Sequence, residues 1–206
     1  MKIICIGLNY KSHIEEMRHL SMPSEPVFFI KPDTSLLRNN DPFFIPDFTS
    51  NLNYECEIAV KINRIVKAID AKFAPRCYNE IAVGIDFTAR DLQQKLKAAS
   101  LPWEASKAFD KSNPLPNDFI KLDELETGVD NLDFHLDING VTVQKGNSSD
   151  MLFSIDELIA YVSKFVTLKI GDVIMTGTPK GVGKVEIGDH LEAYLCGRKM
   201  LDFDIK

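Results

Sequence analysis

Two acidic residues, Glu55 and Glu57, stand two positions apart in a stretch of alternating character between residues 53 and 61. Alternation with period two is typical of a half-buried β-strand, because successive side chains point to opposite faces. Both carboxylates then project from one face, with Cα atoms about 7 Å apart. A solvated strand face is the simpler interpretation. The alternative is half of a site for a hard divalent cation, which requires a third carboxylate elsewhere in the chain.

A third carboxylate, Asp86, follows a short apolar strand over residues 81–85, at a predicted strand-to-helix turn. A helix is predicted over residues 89–99, begun by a capping box of Thr88 and Asp91. Its apolar stripe holds Leu92, Leu96 and Ala99, and its polar stripe holds Arg90, Gln93 and Lys97. The polar residues in the first turns of this helix are candidates for substrate contact.

His13 and Glu16 could form a proton-transferring pair, because residues three apart on a helix share a face. A helix from His13 to about Leu20 is predicted, with Ser12 and Glu15 as a capping box. A helix N-terminus disfavours the imidazolium form, so a neutral His13 could accept a proton while Glu16 orients it. Taken alone, His13 is more simply a surface residue.

Lys31 and the turn around Thr178 are further candidates for binding an anionic substrate. Lys31 ends a predicted strand over residues 27–30, inside a loop-rich segment (23–46) that could act as a lid, although a strand-end lysine is the simpler interpretation. The glycine-rich turn over residues 176–183 matches neither a Walker A loop nor G-x-G-x-x-G, so nucleotide binding is not indicated. Its backbone N–H groups could still bind a carboxylate or an oxyanion.

The bulk composition limits the possible classes of protein. The chain has 206 residues and a net charge of −6, without a basic stripe, so a general nucleic-acid binder is not expected. The four cysteines form no C-x-x-C pair, which argues against zinc-ribbon sites and favours a reducing compartment. No signal peptide or membrane span is indicated. We therefore expect a cytoplasmic protein with one domain over residues 1–206.

Many short strands and few helices predict an α+β fold, a mixed β-sandwich or β-roll with short flanking helices. Residues 62–69 are expected to form a strand beside the Glu55–Glu57 stretch. A hairpin is predicted around Asn139 and Gly140, and Ser154 and Glu157 are predicted to cap a third helix. Asp133, His135 and Asp137 alternate on the hairpin and are read as a solvated face.

Six segments together resemble the fumarylacetoacetate hydrolase family, in particular its compact branch that acts on acylpyruvates and oxaloacetate. They occur in the family's order and cover nearly the whole chain: NYKSHIEE (9–16), YECE (54–57), DFTARDLQ (86–93), KAFD (107–110), QKGNSSDM (144–151) and TGTPKGVG (176–183). One departure is Leu8, where many relatives have Arg.

The resemblance implies roles for most of the candidate residues. Glu55, Glu57 and Asp86 would bind Mg²⁺ or Mn²⁺. His13 and Glu16 would be the catalytic pair, with Lys107 beside the metal. Arg90, Gln93 and the Thr178 turn would hold the substrate. The resemblance also implies a homodimer.

The repulsion between clustered carboxylates is a separate argument for a bound cation, which would remove it. Carboxylates converging within about 5 Å repel by roughly 3 kcal/mol per pair at an effective dielectric of 20. Oxygen ligands favour Mg²⁺ or Mn²⁺ over zinc.

The activity expected from these features is hydrolysis of a carbon–carbon bond in a 3-acylpyruvate or related 2,4-diketo acid. In that reaction His13, assisted by Glu16, activates water, and the metal and Lys107 stabilise a pyruvate enolate. The alternatives on the same site are oxaloacetate decarboxylation or tautomerisation, and isomerisation of a 2-oxo diacid. A catalytically silent, metal-stabilised dimer is the non-enzymatic alternative.

Overall fold

A computed structural model describes residues 1–16 and 21–206 of the chain. Its fifteen strands are β1 (Ile3–Gly7), β2 (Val27–Lys31), β3 (Leu36–Leu37), β4 (Leu52–Tyr54), β5 (Cys56–Ile62), β6 (Tyr78–Ile85), β7 (Thr88–Ala89), β8 (Asn113–Pro114), β9 (Ile120–Lys121), β10 (Asp133–Ile138), β11 (Val141–Asn147), β12 (Val173–Met175), β13 (Gly183–Lys184), β14 (His190–Leu195) and β15 (Arg198–Asp204). The α-helices in this part of the chain are α1 (Lys11–Glu16), α2 (Arg90–Ala98) and α3 (Ile155–Phe165).

The larger sheets are a mixed six-stranded sheet and an antiparallel four-stranded sheet. The first has the order β2-β1-β12-β5-β6-β9, and β1 pairs with β12 in parallel. The second has the order β11-β10-β14-β15. Side chains from both sheets, such as Ile58 and Val83 of the first and Phe134 and Leu191 of the second, belong to one buried apolar cluster. This arrangement confirms the predicted α+β fold of mixed sheets with short helices.

The predicted strand around the two glutamates is divided and fully covered. β4 ends at Tyr54 and β5 begins at Cys56, so Glu55 lies at the junction. Both faces are buried, and Glu55 and Glu57 are only 6% and 1% exposed. A solvated face was therefore the wrong interpretation. The prediction of a neighbouring strand over residues 62–69 is also wrong. β5 ends at Ile62 and pairs with β6 and β12, whereas Val66 forms an isolated bridge to Leu168.

Some of the predicted capping boxes and turns are present in the structure, and others are not. The capping box of Ser154 and Glu157 is present at α3, and Asn139 and Gly140 both have positive φ at the hairpin turn. The Ser12–Glu15 box is wrong, because α1 already begins at Lys11 and the Ser12 hydroxyl accepts instead from the Lys180 nitrogen. The rest of the predicted first helix, residues 17–20, lies outside the described residues.

The predicted Thr88–Asp91 box is also wrong, for a tertiary reason. Thr88 belongs to β7, and the Asp91 carboxylate accepts hydrogen bonds from Thr49 and Ser50 on the neighbouring segment. The helix α2 itself is confirmed within one residue of its predicted ends. Its orientation differs from the expectation, since its buried residue is Gln93 and its predicted apolar stripe is only partly covered.

No α-helix within residues 1–16 and 21–206 combines the length and apolar character needed to cross a membrane.

Candidate active site

Three carboxylates from distant parts of the chain converge at one place. Glu55, Glu57 and Asp86 each offer an oxygen atom within 4.8 Å of the others, and all three side chains are buried. The antiparallel pairing of β5 with β6 brings them together, because Glu57 stands opposite Gly84 and the Asp86 nitrogen donates to the Glu55 carbonyl at 2.8 Å. The register of two neighbouring strands therefore builds this cluster.

Two cationic side chains bind this cluster from the cavity side. Lys107 Nζ lies 2.7 Å from Glu55 Oε2 and 2.6 Å from Asp86 Oδ2, and the Arg90 guanidinium contacts Glu55 Oε1. Burial opposes ionisation of Glu55, but Lys107 and Arg90 outweigh it and hold the pKa of this carboxyl well below its usual range. Burial likewise opposes the charge of Lys107, yet Asp86 and Glu55 raise the pKa of this ammonium group. Glu55 and Lys107 are therefore both charged.

The remaining oxygen atoms of the cluster fit a divalent cation. Glu57 Oε2 accepts a hydrogen bond from the Gly177 nitrogen at 2.9 Å, and burial, Asp86 and Glu55 all raise the pKa of Glu57 well above its usual value. Asp86 Oδ1 is buried and has no aligned hydrogen-bond donor among the described residues, although Lys31 Nζ lies 2.6 Å from it. An all-oxygen donor set of three carboxylates is the chemistry that Mg²⁺ and Mn²⁺ prefer.

Lys31 does not occupy the substrate-binding position expected for it. Its side chain is fully buried, and Nζ donates to the Ser112 carbonyl and hydroxyl, each at 3.0 Å. Nζ also lies 2.6 Å from Asp86 Oδ1, although the two atoms are not aligned for a hydrogen bond. Lys31 therefore supports Asp86 from behind and does not line the cavity.

His13 and Glu16 approach each other without forming the expected hydrogen bond. His13 Nδ1 lies 3.6 Å from Glu16 Oε2 and has no hydrogen-bond partner among the described residues. Both Glu16 oxygens instead accept from the Gly181 nitrogen, at 3.1 and 3.2 Å. Burial lowers the pKa of His13 against the opposing effect of Glu55, which favours a neutral ring. His13 lines the same cavity as the carboxylates.

Arg90 and Gln93 are held in fixed positions on the face of α2 that borders the cavity. Arg90 donates to Asn53 Oδ1 at 3.1 Å and to Gln93 Oε1 at 2.9 Å, in addition to its contact with Glu55. Gln94 and Lys97 line the cavity from the same helix. The polar stripe of α2 therefore faces the site.

Gln144, a buried residue of β11, is a positioning residue that the sequence did not single out. Its Oε1 accepts from the Cys56 nitrogen at 2.9 Å, and its Nε2 donates to Thr178 Oγ1 at 2.7 Å and to the Pro179 carbonyl at 2.9 Å. Thr178 Oγ1 in turn donates to the Cys56 carbonyl at 2.8 Å. The segment between the two glutamates is thus tied to the glycine-rich turn. The sequence signal that could have identified Gln144 was its place at the start of the motif QKGNSSDM.

The cavity beside the carboxylates has a volume of about 190 Å³. This is less than the roughly 300–1,000 Å³ of pockets for drug-sized ligands, so it suits a small molecule. Part of its lining is polar, and the rest is formed by apolar side chains: Ile6, Leu8, Val27, Phe29 and Trp103. Val27 and Phe29 come from the segment predicted to act as a lid. Leu8, noted in the sequence as a departure from the family's pattern, adds to the apolar part of the lining.

A larger cavity of about 500 Å³ lies elsewhere, between residues 116–120 and 198–200. Its charged side chains already pair, since Arg198 Nη1 lies 3.0 Å from Glu124 Oε2 and Lys199 Nζ lies 2.6 Å from Asp202 Oδ2. The nearby group of His190, Glu192 and Asp202 could hold an ion by geometry, but Lys199 already pairs with both of its carboxylates. The buried cluster of Glu55, Glu57 and Asp86 is therefore the better candidate for a metal-dependent active site.

Several known proteins resemble this chain over nearly its whole length. The chain is 41% identical to the oxaloacetate tautomerase YcgM of Escherichia coli, covering 97% of this chain and 90% of that protein. It is 39% identical to the mitochondrial oxaloacetate tautomerase FAHD1 of Bos taurus, covering 99% and 91%. A solved fumarylpyruvate hydrolase from Pseudomonas aeruginosa, in complex with Mn²⁺ and pyruvate, superposes with a TM-score of 0.92 at 30% identity, covering 100% of this chain and 89% of that one.

The family model described as the C-terminal region of fumarylacetoacetate hydrolase matches residues 2–202, which is nearly the whole chain. The relatives that share this fold include proteins named as oxaloacetate tautomerases and a fumarylpyruvate hydrolase. This chain belongs to the fumarylacetoacetate hydrolase family.

Proposed function

We propose that this protein is a divalent-metal-dependent enzyme that interconverts the enol and keto forms of oxaloacetate. The observation that carries the proposal is the convergence of three buried carboxylates in a small cavity that His13 and Lys107 also line. The similarity to oxaloacetate tautomerases over nearly the full chain supports the choice of substrate.

Glu55, Glu57 and Asp86 would hold the Mg²⁺ or Mn²⁺ ion. When bound, the ion supplies Lewis-acid polarisation of the carbonyl or enol oxygen of the substrate. Lys107, which reaches the oxygens of both Glu55 and Asp86, is placed to donate a hydrogen bond to a substrate oxygen beside them. Arg90 and Gln93 orient the 2-oxo acid end.

His13 is the group that moves the proton. Tautomerisation transfers a proton between carbon 3 and the oxygen on carbon 2, so it requires a base able to take up and return a proton near neutral pH. Burial favours the neutral form of His13, and its Nδ1 lies 3.6 Å from Glu16 Oε2, so the ring can take up and return a proton beside this carboxylate. A single proton carrier suffices for this reaction, whereas hydrolysis also needs an oriented water.

Hydrolysis of a 3-acylpyruvate, the main expectation from the sequence, becomes the second candidate. It is favoured by the apolar wall of the cavity, which could accept an acyl group, and by the similarity to a fumarylpyruvate hydrolase. It requires Glu16 to assist His13, and Glu16 here accepts a hydrogen bond from the Gly181 nitrogen at 3.1 Å while lying 3.6 Å from His13 Nδ1. Oxaloacetate decarboxylation is a third candidate reaction, and the assay described below distinguishes it by the release of pyruvate from oxaloacetate.

The test compares enol-to-keto conversion of oxaloacetate with pyruvate release from oxaloacetate and from acetylpyruvate. Each is measured with Mg²⁺, Mn²⁺ and EDTA against enzyme-free blanks, because the metals alone promote enolisation. We expect conversion of the enol to be fastest, to require metal, and to be lost in His13→Ala. Faster cleavage of acetylpyruvate would restore the hydrolase assignment. Absence of metal-dependent turnover of both substrates would favour a catalytically silent protein.

Homodimer formation also remains a proposal, which rests on the family resemblance alone. Sedimentation equilibrium of the purified protein tests it.

A further inference from the structure

The polar stripe of α2 ends in a lysine whose charge the site does not use. Arg90, Gln93, Gln94 and Lys97 all line the cavity. Gln93 is buried and Lys97 is exposed, so the stripe runs from the buried carboxylates to the mouth. One helical turn separates the two, a rise of about 6 Å. Lys97 thus lies beyond the groups that orient the 2-oxo acid end.

The other cations of the site are matched with its carboxylates. Arg90 contacts Glu55, Lys107 bridges Glu55 and Asp86, and Lys31 lies behind Asp86. Within residues 1–16 and 21–206, no carboxylate oxygen lies within 4.0 Å of Lys97 Nζ, and residues 17–20 hold no acidic side chain. Among the described residues that line the cavity, Lys97 is therefore a cation without a carboxylate partner, available to an anion entering from solvent.

The surroundings of Lys97 hold the ammonium near the cavity. Its Nζ lies 5.5 Å from the centre of the Trp103 ring, which is itself part of the cavity wall. Partial burial, together with the positive charges of Arg90 and Lys107, lowers the pKa of Lys97. A negatively charged group placed between these cations would relieve their repulsion.

We infer that Lys97 is a specificity-determining residue, which binds the distal carboxylate of a four-carbon 2-oxo dicarboxylic acid. The inference deepens the proposed function and rests on it for the orientation of the substrate. With the 2-oxo acid end at Glu55, Glu57 and Asp86, the other end points to the mouth, where Lys97 stands. A monocarboxylic 2-oxo acid would instead place its apolar end against the apolar side chains of the lining and leave Lys97 without a partner.

The test uses two substrates and two ligands that differ in one carboxylate. The substrates are oxaloacetate and acetylpyruvate. The ligands are malate and lactate, 2-hydroxy acids whose dissociation constants are measured by calorimetry on the Mn²⁺-loaded protein. Lys97→Gln removes the charge and Lys97→Arg keeps it. Lys95→Gln is the matched control, because Lys95 is exposed on the same helix and does not line the cavity.

We expect Lys97→Gln to weaken malate binding and to lower kcat/KM for oxaloacetate by roughly ten- to a hundredfold, chiefly through KM, as expected for the loss of a charge-assisted hydrogen bond. Lactate binding and acetylpyruvate turnover should change less than about twofold. Lys97→Arg should retain the preference for the dicarboxylate, and Lys95→Gln should behave as wild type.

Equal losses for the mono- and dicarboxylic ligands, or no loss for malate, would overturn the role of Lys97. The binding arm also keeps this inference separate from the proposed function. If the wild type turned over neither substrate, the proposed function would fail, whereas a malate-specific defect in Lys97→Gln would still support the dicarboxylate subsite.

Discussion

The side-chain oxygen of Gln144 accepts a hydrogen bond from the backbone nitrogen of Cys56 at 2.9 Å, directly between two of the three clustered carboxylates. Gln144 belongs to the four-stranded sheet and Cys56 to the six-stranded sheet. Because the amide nitrogen of Gln144 also donates to Thr178 and Pro179, one side chain sets the spacing between the glutamates and the glycine-rich turn. The site thus depends on how the two sheets are joined.

Replacing Gln144 by Met should damage both the fold and the site. The change keeps most of the volume but leaves buried polar groups of Cys56, Thr178 and Pro179 without this partner, at a cost of about 1–3 kcal/mol for each unsatisfied group. We expect a lower free energy of unfolding in urea and, under conditions where the variant stays folded, a lower kcat. Lys145→Gln, an exposed change on the same strand, is the control. A variant with wild-type stability and turnover would contradict the positioning role.

Glu57→Gln should separate metal binding from folding. Burial, Asp86 and Glu55 raise the pKa of Glu57 and so disfavour its charged form when no metal is bound. A neutral amide avoids this cost, so without metal the variant should melt at the wild-type temperature or above it. The same change removes a charged oxygen ligand, and we expect affinity for Mn²⁺ to fall by roughly tenfold or more. Thermal melting with and without added Mn²⁺ reads out both effects. An undiminished metal-induced stabilisation in the variant would place the ion elsewhere.

His13→Ala and Glu16→Gln should differ strongly in their effects. If His13 is the proton carrier, its loss should slow turnover by about 10²–10⁴-fold without changing the stabilisation by Mn²⁺. Glu16 lies 3.6 Å from His13 Nδ1 and binds Gly181, so its replacement should slow tautomerisation much less. Initial rates at saturating metal measure both. Equal losses in the two variants would show that the pair acts as a unit, as the hydrolase mechanism requires.

Asp172 should make stability depend on pH in the acidic range. Its side chain is almost fully buried and accepts from the backbone nitrogens of Lys2 and Lys169, each at 2.8 Å, while Lys2 Nζ lies 2.5 Å away. Burial opposes ionisation of Asp172, but these donors outweigh it and lower the pKa of the carboxyl. A lowered folded-state pKa contributes stability that is present above the unfolded value of about 3.9 and lost as pH falls through the folded value.

Asp172→Asn should therefore lower the free energy of unfolding at pH 7 by about 1–3 kcal/mol. The difference in the free energy of unfolding between variant and wild type should become smaller as the pH falls below about 4. Urea unfolding at several pH values measures this. Asp70→Asn is the control, because the Asp70 side chain is 75% exposed and lies 3.8 Å from Lys72 Nζ. A gap that stayed constant with pH would exclude the proposed ionic contribution.

Much of the candidate site could be predicted from the sequence. Glu55, Glu57 and Asp86 converge, and His13, Arg90, Gln93, Lys107 and Thr178 line the same cavity. These residues lie in short motifs whose order along the chain carries the family resemblance. Local signals that depend on a few neighbouring residues were also sufficient, as at the Ser154 cap and the Asn139–Gly140 turn.

The failures share a physical cause. Asp91 has the right type and spacing to cap α2, but Thr49 and Ser50 from another segment supply better-placed donors. Lys31 has the charge to bind a substrate, but β2 delivers it behind Asp86. The polar stripe of α2 was visible in the sequence, whereas the side of the helix that faces the cavity was not.

The sequence by itself determined which groups are available: three carboxylates for a hard cation, one histidine near a helix start, and cationic side chains at helical spacing. Only the tertiary structure decided that Glu16 binds Gly181, that Gln144 joins the two sheets, and that Lys97 stands without a carboxylate partner at the cavity mouth. The reason is that hydrogen bonds and charges act over a few ångströms in space, and the packing of the sheets sets those distances between residues far apart in the chain.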